Sequence, residues 1–269
     1  MLFGRTGGSK AFFTDSSPYV AIYTFSAVDI VDYKKKETLA EIDMDAYLTS
    51  AQVSQDGTKL YTGFQTGEFR IYDIATGKII ETGNDEITVS KDILTDSAIE
   101  ISGDGKYIAI NGSDSAIHIC NAGDLSEITS FPLYSNYSFH MEFSRDSKTL
   151  ITQDNDYRIY FYDIENQRYI NTLVTSWRIK KIIFDEENNM TAFTDTLNLY
   201  LVNNSGYGML AYVPGGISYI KDEKKFITKA KNEISSIKYK RYDELIEMAK
   251  KQFPDAELTE EKKIKYNIN

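Results

Sequence analysis

Residues 53–82 read VSQDGTKLYTGFQTGEFRIYDIATGKIIET, and this stretch decides the fold. It alternates short apolar runs with turn residues. Asp56-Gly57 separates two apolar runs, as a tight hairpin requires, because glycine takes positive φ without strain. Gln65–Glu68 forms a second polar turn and Ala75-Thr76-Gly77 a third. The runs between them carry β-branched and aromatic residues in alternation, the pattern of half-buried strands. The reading is four strands, at Thr49–Ser54, Leu60–Phe64, Phe69–Ile74 and Lys78–Glu81.

The same pattern recurs along the chain. One copy begins at Ile101 (ISGDGKYIAINGSDSAIHICNAGD) and another at Phe143 (FSRDSKTLITQDNDYRIYFYDIENQRYINTL). From turn acid to closing acid or amide the offset is 17 residues in five units: Asp15 to Asp32, Asp56 to Asp73, Asp104 to Asn121, Asp146 to Asp163 and Glu186 to Asn203. A sixth unit starts at Asp222, but Tyr239 stands where its closing acid belongs. Successive turn acids are 41, 48, 42, 40 and 36 residues apart, the long step holding the polar insertion GNDEITVSKDILTD. Repeats of about 40–45 residues built from four short strands are propeller blades. An open β-sandwich also has closely spaced strands, but it does not impose one constant register. The expected fold is therefore an all-β β-propeller of about six four-stranded blades over residues 1–240, with seven blades as the alternative. The last unit is one strand short before Tyr242, and Leu2–Arg5 could supply the missing strand.

The chain ends differently. Tyr242, Leu245, Ile246, Ala249 and Phe253 lie on one face of a helix, Pro254 stops it, and Thr259 followed by Glu260-Glu261 starts another. Residues 241–269 are thus expected to form a short C-terminal helical tail packed on the propeller.

Composition excludes several functions. The formal charge of −10 argues against nucleic acid or an anionic membrane as main partner. No apolar run reaches the roughly 18 residues that a membrane helix needs, and residues 1–10 (MLFGRTGGSK) do not read as a secretory signal. The single cysteine, Cys120, rules out an internal disulfide and fits a cytoplasmic location. With two histidines and one cysteine, few zinc ligands are available. The expectation is no cofactor and no metal.

The phrases FSRDSKTLIT, SQDGTKLYTG and FRIYDIATGK resemble the turn and closing strand of WD-repeat propellers. In that family the closing pair is Trp-Asp; here the Trp position holds Val31, Tyr72, Cys120, Tyr162 or Val202. The family's Gly-His pair is absent, so its Asp–His–Ser/Thr–Trp tetrad cannot form as such. Asp114 and Asp156 match the tetrad's acid by position. The tail, with Leu245-Ile246, Ala249, Leu258-Thr259, Glu261 and Tyr266, is similar to the ending of bacterial multidomain signalling proteins whose WD-repeat propeller serves as sensor. In them it follows a STAND-type NTPase, Toll/interleukin-receptor-like or protease domain. The resemblance implies a protein-interaction scaffold or sensor domain that is not an enzyme, binds a protein or the signalling domains of a longer chain, and is a monomer.

No catalytic constellation stands out. The chain has neither a phosphate-binding G-x-x-x-x-G-K-[ST] loop nor a G-x-S-x-G elbow. The recurring acids read as turn caps, since a catalytic set would not repeat blade by blade. His118 and His140 read as strand residues, and Gln153-Asp154-Asn155-Asp156 as a solvated hairpin turn rather than a calcium loop. The alternative to a binding module is a propeller enzyme, lactonase-like or another hydrolase, with an axial polar site. For partner binding, the aromatic residues nine positions before the turn acids are the candidates: Tyr47, Tyr137 and Trp177, with Arg178, Tyr157 and Arg158 nearby.

Overall fold

A computed structural model describes residues 10–13, 18–24, 27–83, 89, 98–135, 138–187, 189–220, 222–230 and 233–238. Their regular structure is all β, in six antiparallel sheets with strands in chain order. Blade 1 comprises β1 (Lys10–Phe13), β2 (Tyr19–Thr24), β3 (Ala27–Asp32) and β4 (Glu37–Asp43). Blade 2 holds β5 (Leu48–Val53), β6 (Lys59–Phe64), β7 (Phe69–Asp73) and β8 (Ile79–Thr82). Blade 3 holds β9 (Ile99–Ile101), β10 (Tyr107–Asn111), β11 (Ala116–Asn121) and β12 (Glu127–Pro132). Blade 4 holds β13 (Ser138–Phe143), β14 (Thr149–Asp154), β15 (Arg158–Asp163) and β16 (Arg168–Val174). Blade 5 holds β17 (Lys181–Asp185), β18 (Met190–Thr194), β19 (Asn198–Asn203) and β20 (Met209–Pro214). Blade 6 has three strands among the described residues: β21 (Gly216–Ile220), β22 (Lys225–Ala230) and β23 (Glu233–Lys238). In each blade the strands are called a to d in order. The four strands read from residues 53–82 agree with β5–β8 to within a residue or so at most ends.

Side-chain hydrogen bonds explain the 17-residue step in blades 2 to 4. In blade 2, Ser54 Oγ donates to Asp56 Oδ1 (2.6 Å), which also accepts from the Thr58 backbone N–H (3.0 Å). The Lys59 N–H donates back to Ser54 Oγ (2.9 Å). The same ring of bonds recurs at Ser102-Asp104 and Ser144-Asp146. Gly57 and Gly105 supply positive φ at the turn; in blade 4 Ser147 takes φ +59° instead. At the other end of the 17-residue step, Asp32, Asp73, Asn121, Asp163 and Asn203 each cap the c–d turn through a backbone N–H. Beside this cap the c–d register shifts in all five blades, at Ile30/Val31, Ile71/Tyr72, Ile119/Cys120, Phe161/Tyr162 and Leu201/Val202. The extra residue lies on strand d each time, and a bulge at one fixed place bends that strand and raises its twist.

The core is divided into seams between consecutive blades. Five apolar clusters join blades 1–2, 2–3, 3–4, 4–5 and 5–6. Polar bonds cross the same seams. Ile101 N–H donates to Gln52 Oε1 (2.8 Å), Asn111 Nδ2 to the Ser138 carbonyl (3.1 Å), Ile179 N–H to Gln153 Oε1 (2.8 Å) and Tyr219 Oη to Asp185 Oδ2 (2.6 Å). From the insertion, Val89 is fully buried and its N–H donates to the Gly67 carbonyl (2.8 Å). The helical tail expected over residues 241–269 and the Leu2–Arg5 segment lie outside the described residues. No helix among the described residues is long and apolar enough to cross a membrane.

Candidate functional site

Antiparallel topology puts the d–a and b–c connections at one end of every blade and the a–b and c–d turns at the other. The first end carries the residues expected from sequence. It is braced by a contact that recurs on strand c three residues before the closing acid or amide. In blade 2 this residue is Arg70, bonded to Asp45 Oδ1 (2.6 Å) and Glu68 Oε2 (2.8 Å). In blade 3 it is His118, whose ring nitrogens lie 3.2 Å from Asp114 Oδ1 and 3.2 Å from Glu127 Oε1. In blades 4 and 5 it is Tyr160, which donates to Asp154 Oδ2 (2.6 Å), and Tyr200, which donates to Asp195 Oδ2 (2.9 Å). Burial raises the pKa of both tyrosines, and the carboxylate raises it further by accepting the phenolic proton. A strand-c side chain thus holds an acid in or beside the b–c connection in four blades.

One sequence expectation is corrected here. Asp156 matches the tetrad acid by count, yet Asp154 fills that place in blade 4. Asp154 is fully buried and accepts from Tyr160 Oη and from the Asp156 and Arg158 N–H groups. Asp156 points outward and pairs with Arg158 (3.0 Å). The buried acid of blade 4 thus stands at the end of β14, two residues before Asp156.

At this end Tyr47 is 59% exposed and stands edge-on to Tyr23, 6.4 Å between centroids, at the blade 1–2 seam. Trp177 is half-buried and stacks on Tyr200 at 3.9 Å and 12°. Its backbone carbonyl accepts from Gln153 Nε2 (2.8 Å) and Thr175 Oγ1 (3.1 Å), and Thr175 Oγ1 also donates to the Tyr157 carbonyl (2.6 Å). Tyr157, Thr175 and Trp177 are therefore brought together at the blade 4–5 seam, with half-buried Arg178 following in the chain. Arg158 stands over the ring of Tyr134 at 5.1 Å, in cation–π range. Tyr134, 80% exposed, was missed because it lies three residues before the register position of Tyr137. Tyr137 itself is outside the described residues.

The opposite end holds a cavity of about 610 Å³ between strand a and the a–b turns of blades 2 to 6. Ile101, Phe143, Phe184 and Tyr219 supply apolar wall, and Glu100, Glu142 and Lys181 supply charge. Among the described residues, no group of three or more His, Cys, Asp or Glu side chains is placed to hold a metal ion. Cys120 is fully buried, and burial, reinforced by the charge of Glu127, pushes its thiol up to about 12. A thiol so protonated is a poor nucleophile and ligand.

No family model matches the chain. It is similar to human echinoderm microtubule-associated protein-like 3, 25% identical over 130 residues, which are 46% of this chain and 14% of that protein. Human echinoderm microtubule-associated protein-like 2 is 24% identical over 121 residues, 42% of this chain and 17% of that protein. A LEC14B homolog of Prunus armeniaca is 28% identical over 136 residues, 43% of this chain and 27% of that protein. The matched stretches thus span about a quarter or less of these relatives' length. These are weak homologies to WD-repeat proteins, and with six sheets of three or four antiparallel strands they fit a WD-like propeller.

Proposed function

We propose that the chain is a non-catalytic WD-like propeller that docks a protein partner on the end carrying the d–a and b–c connections. The observation that carries this reading is exposed Tyr134 and Tyr157 beside half-buried Arg158 and Trp177. Tyr, Trp and Arg dominate interface hot spots because they bury large area at small entropy cost. The net charge of −10 selects a partner with a basic or neutral contact patch, and association that slows with added salt. In the finer form of this proposal the chain is a cytoplasmic monomer and the sensor propeller of a longer bacterial signalling protein. That form rests on the tail motif at Leu245–Tyr266, which lies outside the described residues. Two relatives bear microtubule-associated names, so microtubule co-sedimentation is the first specific partner assay.

A photo-cross-linking amino acid placed in turn at 47, 134 and 157, and at 56 and 104 on the opposite end, tests the reading. Adducts to one protein from 134 or 157, abolished by Arg158→Ala, are expected. Adducts confined to 56 and 104 would overturn it. The competing hydrolase reading draws on Glu100 and Glu142 at the axial cavity; it predicts turnover of lactone or ester substrates that is lost in Glu142→Gln.

A further inference from the structure

Three strand-a positions are equivalent by register: Gln52, Glu100 and Glu142 each pair with the strand-b residue nine positions later, as does Ile183 in blade 5. Glu100, Glu142 and Ile183 all line the axial cavity. The fold therefore accepts an aliphatic side chain at this level, and nothing in blade construction asks for carboxylates there. Keeping them half-buried costs free energy that an apolar residue would avoid. Both are nevertheless held in place. Gln52, only 6% exposed, donates its Nε2 to Glu100 Oε2 while its Oε1 accepts from the Ile101 N–H. His140 Nε2 lies 3.2 Å from Glu142 Oε2. Gln52 thus bridges the blade 2–3 seam and at the same time orients Glu100 toward the cavity.

The rest of the cavity specifies the ligand. Phe143, Phe184 and Tyr219 make an apolar wall, and the volume is that of a small-molecule site. Glu100, Glu142 and Asp222 outnumber Lys181 and Arg145, and Arg145 leans toward Glu186 (3.9 Å). We propose that this cavity binds an organic cation, an ammonium or guanidinium on an apolar stem, with the charge between Glu100 and Glu142 and the stem on Phe143, Phe184 and Tyr219. The site is independent of the protein-docking end and stands whether or not that end binds a partner.

Calorimetric titration of the whole chain with n-pentylamine, N-butylguanidine and 1-hexanol tests it. Both cations should bind and the alcohol should not. Glu142→Gln and Glu100→Gln should each weaken binding by about tenfold or more, whereas Tyr47→Ala should leave it unchanged. Ile183→Lys, at the position that tolerates change, should abolish binding while a thermal melt confirms folding. A lysine- or arginine-containing peptide with blocked termini distinguishes the source: tighter binding than the free amine marks a protein side chain as ligand, and weaker binding a free metabolite-like amine. The proposal is overturned if neither cation nor peptide binds below about 10 mM, or if binding survives Glu142→Gln and Glu100→Gln unchanged.

Discussion

Strand c is buried in blade 4 and exposed in blade 6. In β15, Ile159, Tyr160, Phe161 and Tyr162 are all buried between β14 and β16, whereas every residue of β23 is exposed, Ile234 and Ile237 included. The local chemistry is the same, antiparallel pairing of short alternating strands. The difference lies in what flanks them. Blade 4 has a seam on either side and a strand d outside; β23 has neither among the described residues. A blade is therefore a complete unit only when its neighbours are in place, as expected of a repeat whose single copy cannot bury its own faces.

The largest effect should come from emptying an inner seam. Phe161 is fully buried and stacks on Tyr207 at 4.2 Å. Phe161→Ala should cost about 3–5 kcal/mol by denaturant titration, and Phe226→Ala in blade 6 clearly less. Equal costs would mean that blade 6 is packed as tightly as blade 4.

The strand-c braces come next. Tyr160→Phe removes the donor to buried Asp154 and should destabilise by about 1–3 kcal/mol. The like-for-like removal at Tyr212, exposed and bonded to Asn198 Oδ1, should cost under about 0.5 kcal/mol.

Acid should loosen the inner blades through their turn caps. Ser54 and the Thr58 N–H hold Asp56 below the ordinary carboxylate range; the Thr76 hydroxyl and N–H do so for Asp73, and Asn166 for Asp163. A lowered folded pKa means that the unfolded chain takes up protons first. The stabilisation is thus present above about pH 4 and is lost as pH falls below it. Melting temperatures between pH 6 and 3 should fall, and Asp56→Asn should flatten part of that fall. A curve identical to wild type would dismiss the caps as stabilisers.

The smallest effect concerns the edge itself. If Leu2–Arg5 covers β23, deletion of residues 1–8 should speed amide exchange across 233–238 and leave 158–163 unchanged. Unchanged exchange at 233–238 would exclude that segment as the covering strand.

The blade repeat was legible because both of its anchors are local. A serine or acid that caps a turn acts on N–H groups a few residues away, so its spacing survives in the sequence. The strand-c braces were not legible, because the job is done by Arg70, His118, Tyr160 and Tyr200, which share only a position. Asp154 shows how a buried acid that stands elsewhere along the b–c connection defeats counting. The cavity carboxylates escaped notice for another reason: which strand-a residue faces the cavity follows from pairing register, and Glu100 and Glu142 have no anomalous spacing. Of the six residues marked for partner binding, Tyr157 and Trp177 come together with Arg158 close by, while Tyr47 stands at another seam.

The stacking of Trp177 on Tyr200 has an optical consequence. It is the chain's sole tryptophan and lies within 3.9 Å of a phenol at the join of blades 4 and 5. Its emission colour and quenching therefore come from one seam alone. Light from this indole works as a strain gauge: with no label added, it registers whether blades 4 and 5 separate before, with or after the other seams.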